Sequence, residues 1–177
     1  MHPELRLVFH EKNKGYGGAL QSGFKTASKD LVFYTDGDAQ YDIHEMPLLV
    51  PLMTEDIDIV NGIKIKRGDP LHRVVIGNIY NFFIRNMFNL FVFDVDCDFR
   101  LIRRTKLERI NFTSNSGAIC TELVKKLDMQ GTRFREVSVH HYPRTYGKSQ
   151  FFNFRRVYDT GIELIKLWFQ VVVARKV

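Results

Sequence analysis

Cysteine is scarce. Cys97 and Cys120 are the only two in 177 residues, too few for a disulfide framework, so a reducing compartment is the expected setting. The N-terminal stretch, MHPELRLVFHEKNK, has no apolar core segment and does not read as a signal peptide. Long hydrophobic runs are missing as well. The longest candidate, Val74 to Phe93, is interrupted by Asn78, Asn81, Arg85, Asn86 and Asn89. Each of these is costly in lipid, so the segment does not read as a spanning helix, and a soluble or peripheral chain is expected. Zinc-finger spacing, an aromatic RNA-binding signature and dense Lys/Arg tracts are all absent, which leaves nothing that asks for a nucleic-acid partner. Repeats, low-complexity tracts and linkers are absent too.

What is present is an ordinary globular composition, 45% hydrophobic and 26% charged, on a chain long enough for one domain with a real core. The net charge of +6 fits either a solvated basic surface or an anionic partner such as a phosphate-bearing ligand or a bilayer. Short β-branched or aromatic runs alternate with helical patterns. Leu5–Phe9, Leu31–Thr35, Ile57–Ile63, most of Val92–Arg103 and Phe134–Tyr142 read as strands. Gly18–Ala27, Ile43–Met53, Val74–Phe88, Gly117–Met129 and Phe152–Val173 read as helices. The alternation predicts an α/β domain with a mainly parallel sheet. His140 and His141 are adjacent on a strand, face opposite sides and make poor joint ligands.

The segment Leu31–Asp42 (LVFYTDGDAQYD) carries the most chemistry. An apolar run without alternation, as in a strand buried on both faces, stops abruptly at Asp36-Gly37-Asp38-Ala39-Gln40. Ligands of open α/β sheets bind outside the carboxyl ends of strands. Two carboxylates one residue apart, plus a carboxamide, form a hard-oxygen set suited to Mg²⁺ or Mn²⁺ with positions left for phosphate oxygens. The same letters also suit a plain Asp-Gly turn with solvated carboxylates.

Taken in order, five segments resemble the family 2 glycosyltransferases, and within them the polyprenyl-phosphate sugar synthases. They are Asn13–Phe24 (NKGYGGALQSGF), Tyr34–Asp42, Asn61–Arg73 (NGIKIKRGDPLHR), Asp94–Arg104 (DVDCDFRLIRR) and Arg144–Phe151 (RTYGKSQF). The resemblance implies a GT-A, Rossmann-like sheet flanked by helices. Residues 1–151 would form a partial GT-A domain entered at about the family's third strand, because the opening Pro/Asn-Glu strand and the βα unit after it are absent from the sequence. Residues 152–177 would form a C-terminal amphipathic helix lying at a membrane interface.

The resemblance also assigns roles. Asp36, Asp38 and Gln40 would hold the divalent ion on the donor diphosphate, with Lys14, Gly15 and Gly17 at a helix start facing the same ligand. Arg67, Arg73, Arg144, Lys148 and Ser149 would hold the acceptor or sugar phosphate, a task to which the guanidinium fork is suited. Asp94 and Asp96 would act at the catalytic centre, orienting the sugar or an arginine. The implied reaction is inverting transfer from a nucleotide sugar to a polyprenyl phosphate, at the cytoplasmic face of a membrane. Two other readings stand beside it: transfer to a sugar hydroxyl with Asp94 or Asp96 as base, and a non-catalytic remnant that binds lipid phosphate.

Overall fold

A computed structural model describes residues 4–65, 68, 70–144 and 154–175. In chain order the elements are α1 (Gly15–Thr26), β1 (Leu31–Thr35), two 3₁₀ turns (Ile43–Leu48 and Val50–Leu52), β2 (Ile59–Ile65), α2 (Leu71–Phe88), β3 (Phe99–Arg103), α3 (Arg104–Leu107), α4 (Ala118–Met129), β4 (Phe134–His140) and α5 (Phe154–Trp168). A π-helical turn, Phe169–Val173, extends α5.

The strands form one open sheet in the order β1-β3-β2-β4. β2 and β4 pair in parallel, whereas β3 runs antiparallel to both of its neighbours. Three strands therefore point the same way, as the α/β pattern predicts, but the one reversed strand lies between two of them. The sheet is mixed and not mainly parallel at the level of its ladders. Sequence periodicity carries no strand direction, so the reversal was invisible to it.

Both faces of the sheet are covered around β1, which fits its reading as an apolar run without alternation. By contrast β4, at the end of the sheet, alternates in sequence and is only partly buried. On one side Val32, Tyr34, Ile59 and Ile102 pack with Phe24 of α1 and Leu123 and Leu127 of α4. On the other, Val60, Phe99, Leu101 and Val139 pack with Leu49, Ile57 and Cys97. A third cluster joins Ile84 and Phe88 of α2, Ala118 and Val124 of α4, and Leu164, Leu167 and Val171 from the C-terminal helix. The amphipathic C-terminal helix thus packs onto the body of the domain, and the Trp168 indole donates to the Met87 carbonyl at 2.9 Å. Among the described residues no helix is long and apolar enough to cross a membrane.

Three sequence expectations are corrected. Leu5–Phe9 is not a strand; it finds no ladder partner, and Leu5, Leu7, Val8 and Phe9 are exposed. Ile43–Met53 is not an α-helix but two 3₁₀ turns, with Pro47 and Pro51 withholding amide donors that an α-helix needs there. Val92–Asp98 is a turn, and only Phe99–Arg103 is strand. Side chains replace a ladder in that turn. The Val95 amide donates to Asn81 Oδ1 at 2.9 Å, the Phe93 amide to the Glu136 carboxylate at 2.9 Å, and the Val95 carbonyl accepts from Arg100.

Candidate active site

The carboxyl ends of β1, β2 and β4 share one edge of the sheet, and the reversed β3 starts there. Thr35 pairs with Phe99, so Asp36, just past β1, and Asp98, just before β3, lie side by side. The Asp36 carboxylate accepts from the Tyr16 hydroxyl at 3.0 Å. Burial, then the neighbouring Asp98 carboxylate, pushes its pKa up to about 7, although the Tyr16 bond and Arg144 pull the other way. Cys120 Sγ donates to Asp98 Oδ1 at 3.2 Å, and burial holds that thiol well above its ordinary range. Asp98 and Tyr16 were not singled out as site residues from sequence. The available signal was symmetry: one carboxylate ends an apolar strand and the other begins one.

Asp38, Gln40 and Arg144 meet across the same edge. Arg144 Nη2 donates to Asp38 Oδ2 at 2.6 Å and to Gln40 Oε1 at 3.2 Å. Backbone ties hold this arrangement together. Gln40 Nε2 donates to the Tyr142 carbonyl at 3.1 Å, the Tyr142 amide to the Gln40 carbonyl at 2.8 Å, and the Gln40 amide to Asp38 Oδ1 at 3.1 Å. Ala39 makes the sharp turn in the left-handed region, with φ of 60°. The β2–α2 loop abuts the same place, since the Gly68 amide donates to the His141 carbonyl at 2.8 Å and a Cβ on Gly68 would lie 2.3 Å from Pro143. Asp38 Oδ2 and Gln40 Oε1 therefore converge on one cationic nitrogen. With Asp36 beside them, the donor set is all hard oxygen and fits a divalent ion. Among the described residues no group of three His, Cys, Asp or Glu side chains converges as a metal cage.

Asp94 is buried and fully engaged: Lys64 Nζ approaches its Oδ1 at 3.2 Å, the Lys64 amide donates to Oδ2 at 3.1 Å, and Asn81 Nδ2 to Oδ1 at 3.4 Å. It holds the turn that leads into β3. Asp96 is half-buried, and desolvation lifts its pKa to about 6 although Lys64 opposes the rise. Beneath them Arg100 is fully buried, donating to Asn61 Oδ1, to the Tyr34 hydroxyl at 2.6 Å and to the Val95 carbonyl. It places a fixed positive charge behind the acidic edge.

The glycine turn reaches the site but its donors are largely committed. The Gly15 amide donates to Asn13 Oδ1 at 2.8 Å and the Gly17 amide to the Asn115 carbonyl at 2.9 Å. Gly15 and Gly17 let α1 approach the 114–115 backbone closely, while Tyr16 between them points to Asp36. Lys14 caps the helix start and is exposed. The 113–116 loop is pinned from behind. Buried Glu122 accepts from the Thr113 and Ser114 amides at 2.8 Å each and pairs with buried Lys126 at 2.8 Å. Glu163 of α5 accepts from Ser116 Oγ at 2.7 Å. Arg73 stands half-buried in the first turn of α2. Arg67, Lys148 and Ser149 lie outside the described residues.

A mixed open sheet flanked by helices, with a carboxylate turn at the end of a buried strand, is the fold of the GT-A class. Comparison with solved structures agrees. Glucosyl-3-phosphoglycerate synthase from Mycobacterium tuberculosis, in complex with phosphoglyceric acid, matches with a TM-score of 0.61 at 16% identity, over 95% of this chain and 57% of that one. The same protein with Mn²⁺, uridine diphosphate and glucosyl-3-phosphoglycerate also gives a TM-score of 0.61, at 17% identity and with the same coverage of both chains. The family model described as glycosyl transferase family 2 matches residues 1–110, and the chain belongs to that family. Among curated relatives, the undecaprenyl-phosphate 4-deoxy-4-formamido-L-arabinose transferase of Yersinia enterocolitica is 28% identical over 151 residues, 84% of this chain and 45% of its own length. Its counterpart in Yersinia pestis is 27% identical, with the same coverage. The chain thus spans less than half the length of the curated relatives it matches.

Proposed function

We propose that this chain carries the donor-diphosphate and acceptor-phosphate side of an enzyme that transfers a sugar, with inversion, from a nucleotide sugar to a polyprenyl phosphate. The observation that carries the reading is the convergence of Asp38 Oδ2 and Gln40 Oε1 on one cationic point, with Arg144 delivered to it by the loop after β4. The relatives named for transfer involving undecaprenyl phosphate support the choice of acceptor. Asp36, Asp38 and Gln40 would hold Mg²⁺ or Mn²⁺, which when bound neutralises a diphosphate leaving group. Arg144 and Arg73 would bind phosphate oxygens and align them. A phosphate monoester with a second pKa of about 6 is largely dianionic at neutral pH, so no proton has to be removed from it. Charge neutralisation and alignment then carry the catalysis. Locked in its ion pair with Lys64, Asp94 serves as a positioning residue and not as a base.

A second reading, transfer to a sugar hydroxyl, is favoured by one observation. Asp96 is half-exposed with its pKa raised to about 6, a value suited to a general base. For either acceptor, contact with the cytoplasmic face of a membrane would use the outer side of α2, where Ile79, Phe82 and Phe83 are exposed.

The test combines binding and transfer. Asp38→Ala should abolish Mn²⁺-dependent binding of a nucleoside diphosphate, measured by calorimetry, with the fold intact. Transfer is then assayed from labelled GDP- and UDP-sugars to polyprenyl phosphate and to hydroxyl acceptors. Each lost charge-assisted bond to phosphate is worth roughly 1.5–3 kcal/mol. Arg144→Ala or Arg73→Ala should therefore slow transfer by about tenfold to a hundredfold, and lysine should restore only part of it. An indispensable Asp96 alongside dispensable arginines, with a rate that follows one carboxylate's ionisation, would replace the lipid-phosphate assignment by the hydroxyl one.

A further inference from the structure

Both protons of Arg144 Nη2 are spent on the two oxygens that would bind a cation, Asp38 Oδ2 at 2.6 Å and Gln40 Oε1 at 3.2 Å. The oxygens owe their aim to other bonds. Gln40 is buried, its amide nitrogen is held by the Tyr142 carbonyl, and its backbone amide fixes the second oxygen of Asp38. The Tyr142 amide returns a bond to the Gln40 carbonyl at 2.8 Å. Two residues later the Arg144 side chain is free of these ties, and it is 30% exposed. Swinging the guanidinium away would therefore leave Asp38 and Gln40 aimed at the same point.

Resting on the metal reading above, we propose that Arg144 is a resident placeholder: its guanidinium occupies the cation position until a divalent ion and an anionic ligand arrive together, and it then turns to that anion. Two positive groups cannot share the point defined by Asp38 Oδ2 and Gln40 Oε1, so ion and guanidinium exclude one another there. A bare ion must displace Arg144 with nothing offered in return. An ion accompanied by a diphosphate gives the displaced guanidinium an oxygen fork to bind. Arg144 thus opposes the ion alone and favours the ion with diphosphate, which makes the two ligands bind cooperatively.

The experiment measures Mn²⁺ binding to the 177-residue chain by electron paramagnetic resonance of the free ion, with and without inorganic pyrophosphate. Arg144→Gln should bind Mn²⁺ alone about tenfold tighter than the parent, and Mn²⁺ with pyrophosphate about tenfold weaker, the scale of one charge-assisted bond. This change of sign is the signature, because a merely structural arginine would shift both affinities in one direction. Arg144→Lys, which keeps the charge but not the fork, should leave bare Mn²⁺ binding weak and serves if the glutamine variant does not fold. Bare-ion affinity that is equal or lower in Arg144→Gln overturns the placeholder while leaving the metal assignment standing. Failure of both proteins to bind Mn²⁺ with or without pyrophosphate overturns the two together.

Discussion

Replacing Gly17 by alanine separates a packing glycine from an anion-binding one. A Cβ at this position would lie 2.5 Å from the Ser114 carbonyl oxygen and 2.8 Å from the carbonyl carbon and Cα of Asn115. All three are backbone atoms, on a loop pinned by Glu122 and Glu163, so the neighbour has no rotamer to give. Helix α1 would have to back away by about 1 Å to restore ordinary contact. Overpacking of this kind costs about 1–3 kcal/mol, and stretching the 2.9 Å bond from the Gly17 amide to the Asn115 carbonyl adds about 1 kcal/mol. Against this, alanine gains about 1 kcal/mol in a helix interior relative to glycine. The net expectation is a loss of about 1–3 kcal/mol in urea unfolding at constant m-value. Gly23, in the same helix, is the internal control: a Cβ there meets nothing within 4 Å, so Gly23→Ala should stabilise by up to about 1 kcal/mol. Equal stabilisation by both substitutions would refute the contact between α1 and the 114–115 loop. A Gly17→Ala protein of unchanged stability but lost nucleoside-diphosphate binding would return the glycine turn to the donor site.

Two further predictions concern buried charge. Glu122→Gln removes the counter-charge of Lys126, both side chains being wholly inaccessible, and should cost about 3–5 kcal/mol in denaturant unfolding; a loss below 1 kcal/mol would mean that the pair is not buried in solution. For Asp36 the folded pKa of about 7 stands above the ordinary 3.8, so the folded state holds its proton more tightly. Its contribution to stability is therefore present at pH 4 and is lost as the pH rises through 7. Asp36→Asn should flatten the fall in urea midpoint over that window, and an unaltered pH dependence would show that Asp36 is not the group responsible.

How far the sequence led depended on whether local or long-range physics was in charge. LVFYT at Leu31–Thr35 and the aromatic helix after Pro70 were legible because burial on both faces and helical periodicity are local patterns. The carboxylate turn was legible for the same reason. Asp98 was not, because its place beside Asp36 is set by the register of a strand more than sixty residues away. Within Asp94–Asp98 the aspartates look alike in sequence, yet Lys64 and Asn81 draw Asp94 into the core while Asp98 lies beside Asp36. The glycine turn suggested an anion cradle, but the Gly15 amide goes to Asn13 Oδ1 and the Gly17 amide to the Asn115 carbonyl. Nothing local in the sequence marks Glu122 and Lys126, four residues apart on α4, as the buried fastening of the 113–116 loop.

The reversed strand has a consequence for how the protein assembles. β3 follows β1 and β2 in the chain yet sits between them, bonded to Leu31–Thr35 on one side and Ile59–Asn61 on the other. The two earlier strands have no ladder with each other, so neither can template the other, and the sheet waits for an insertion. Closing those loops spends chain entropy before most sheet contacts form, which slows folding. The same event places Asp98 against Asp36 and slides Arg100 under Tyr34 and Asn61. Repulsion at the acidic edge and its buried compensating cation therefore arrive in one step, so the chain never has to carry the first without the second.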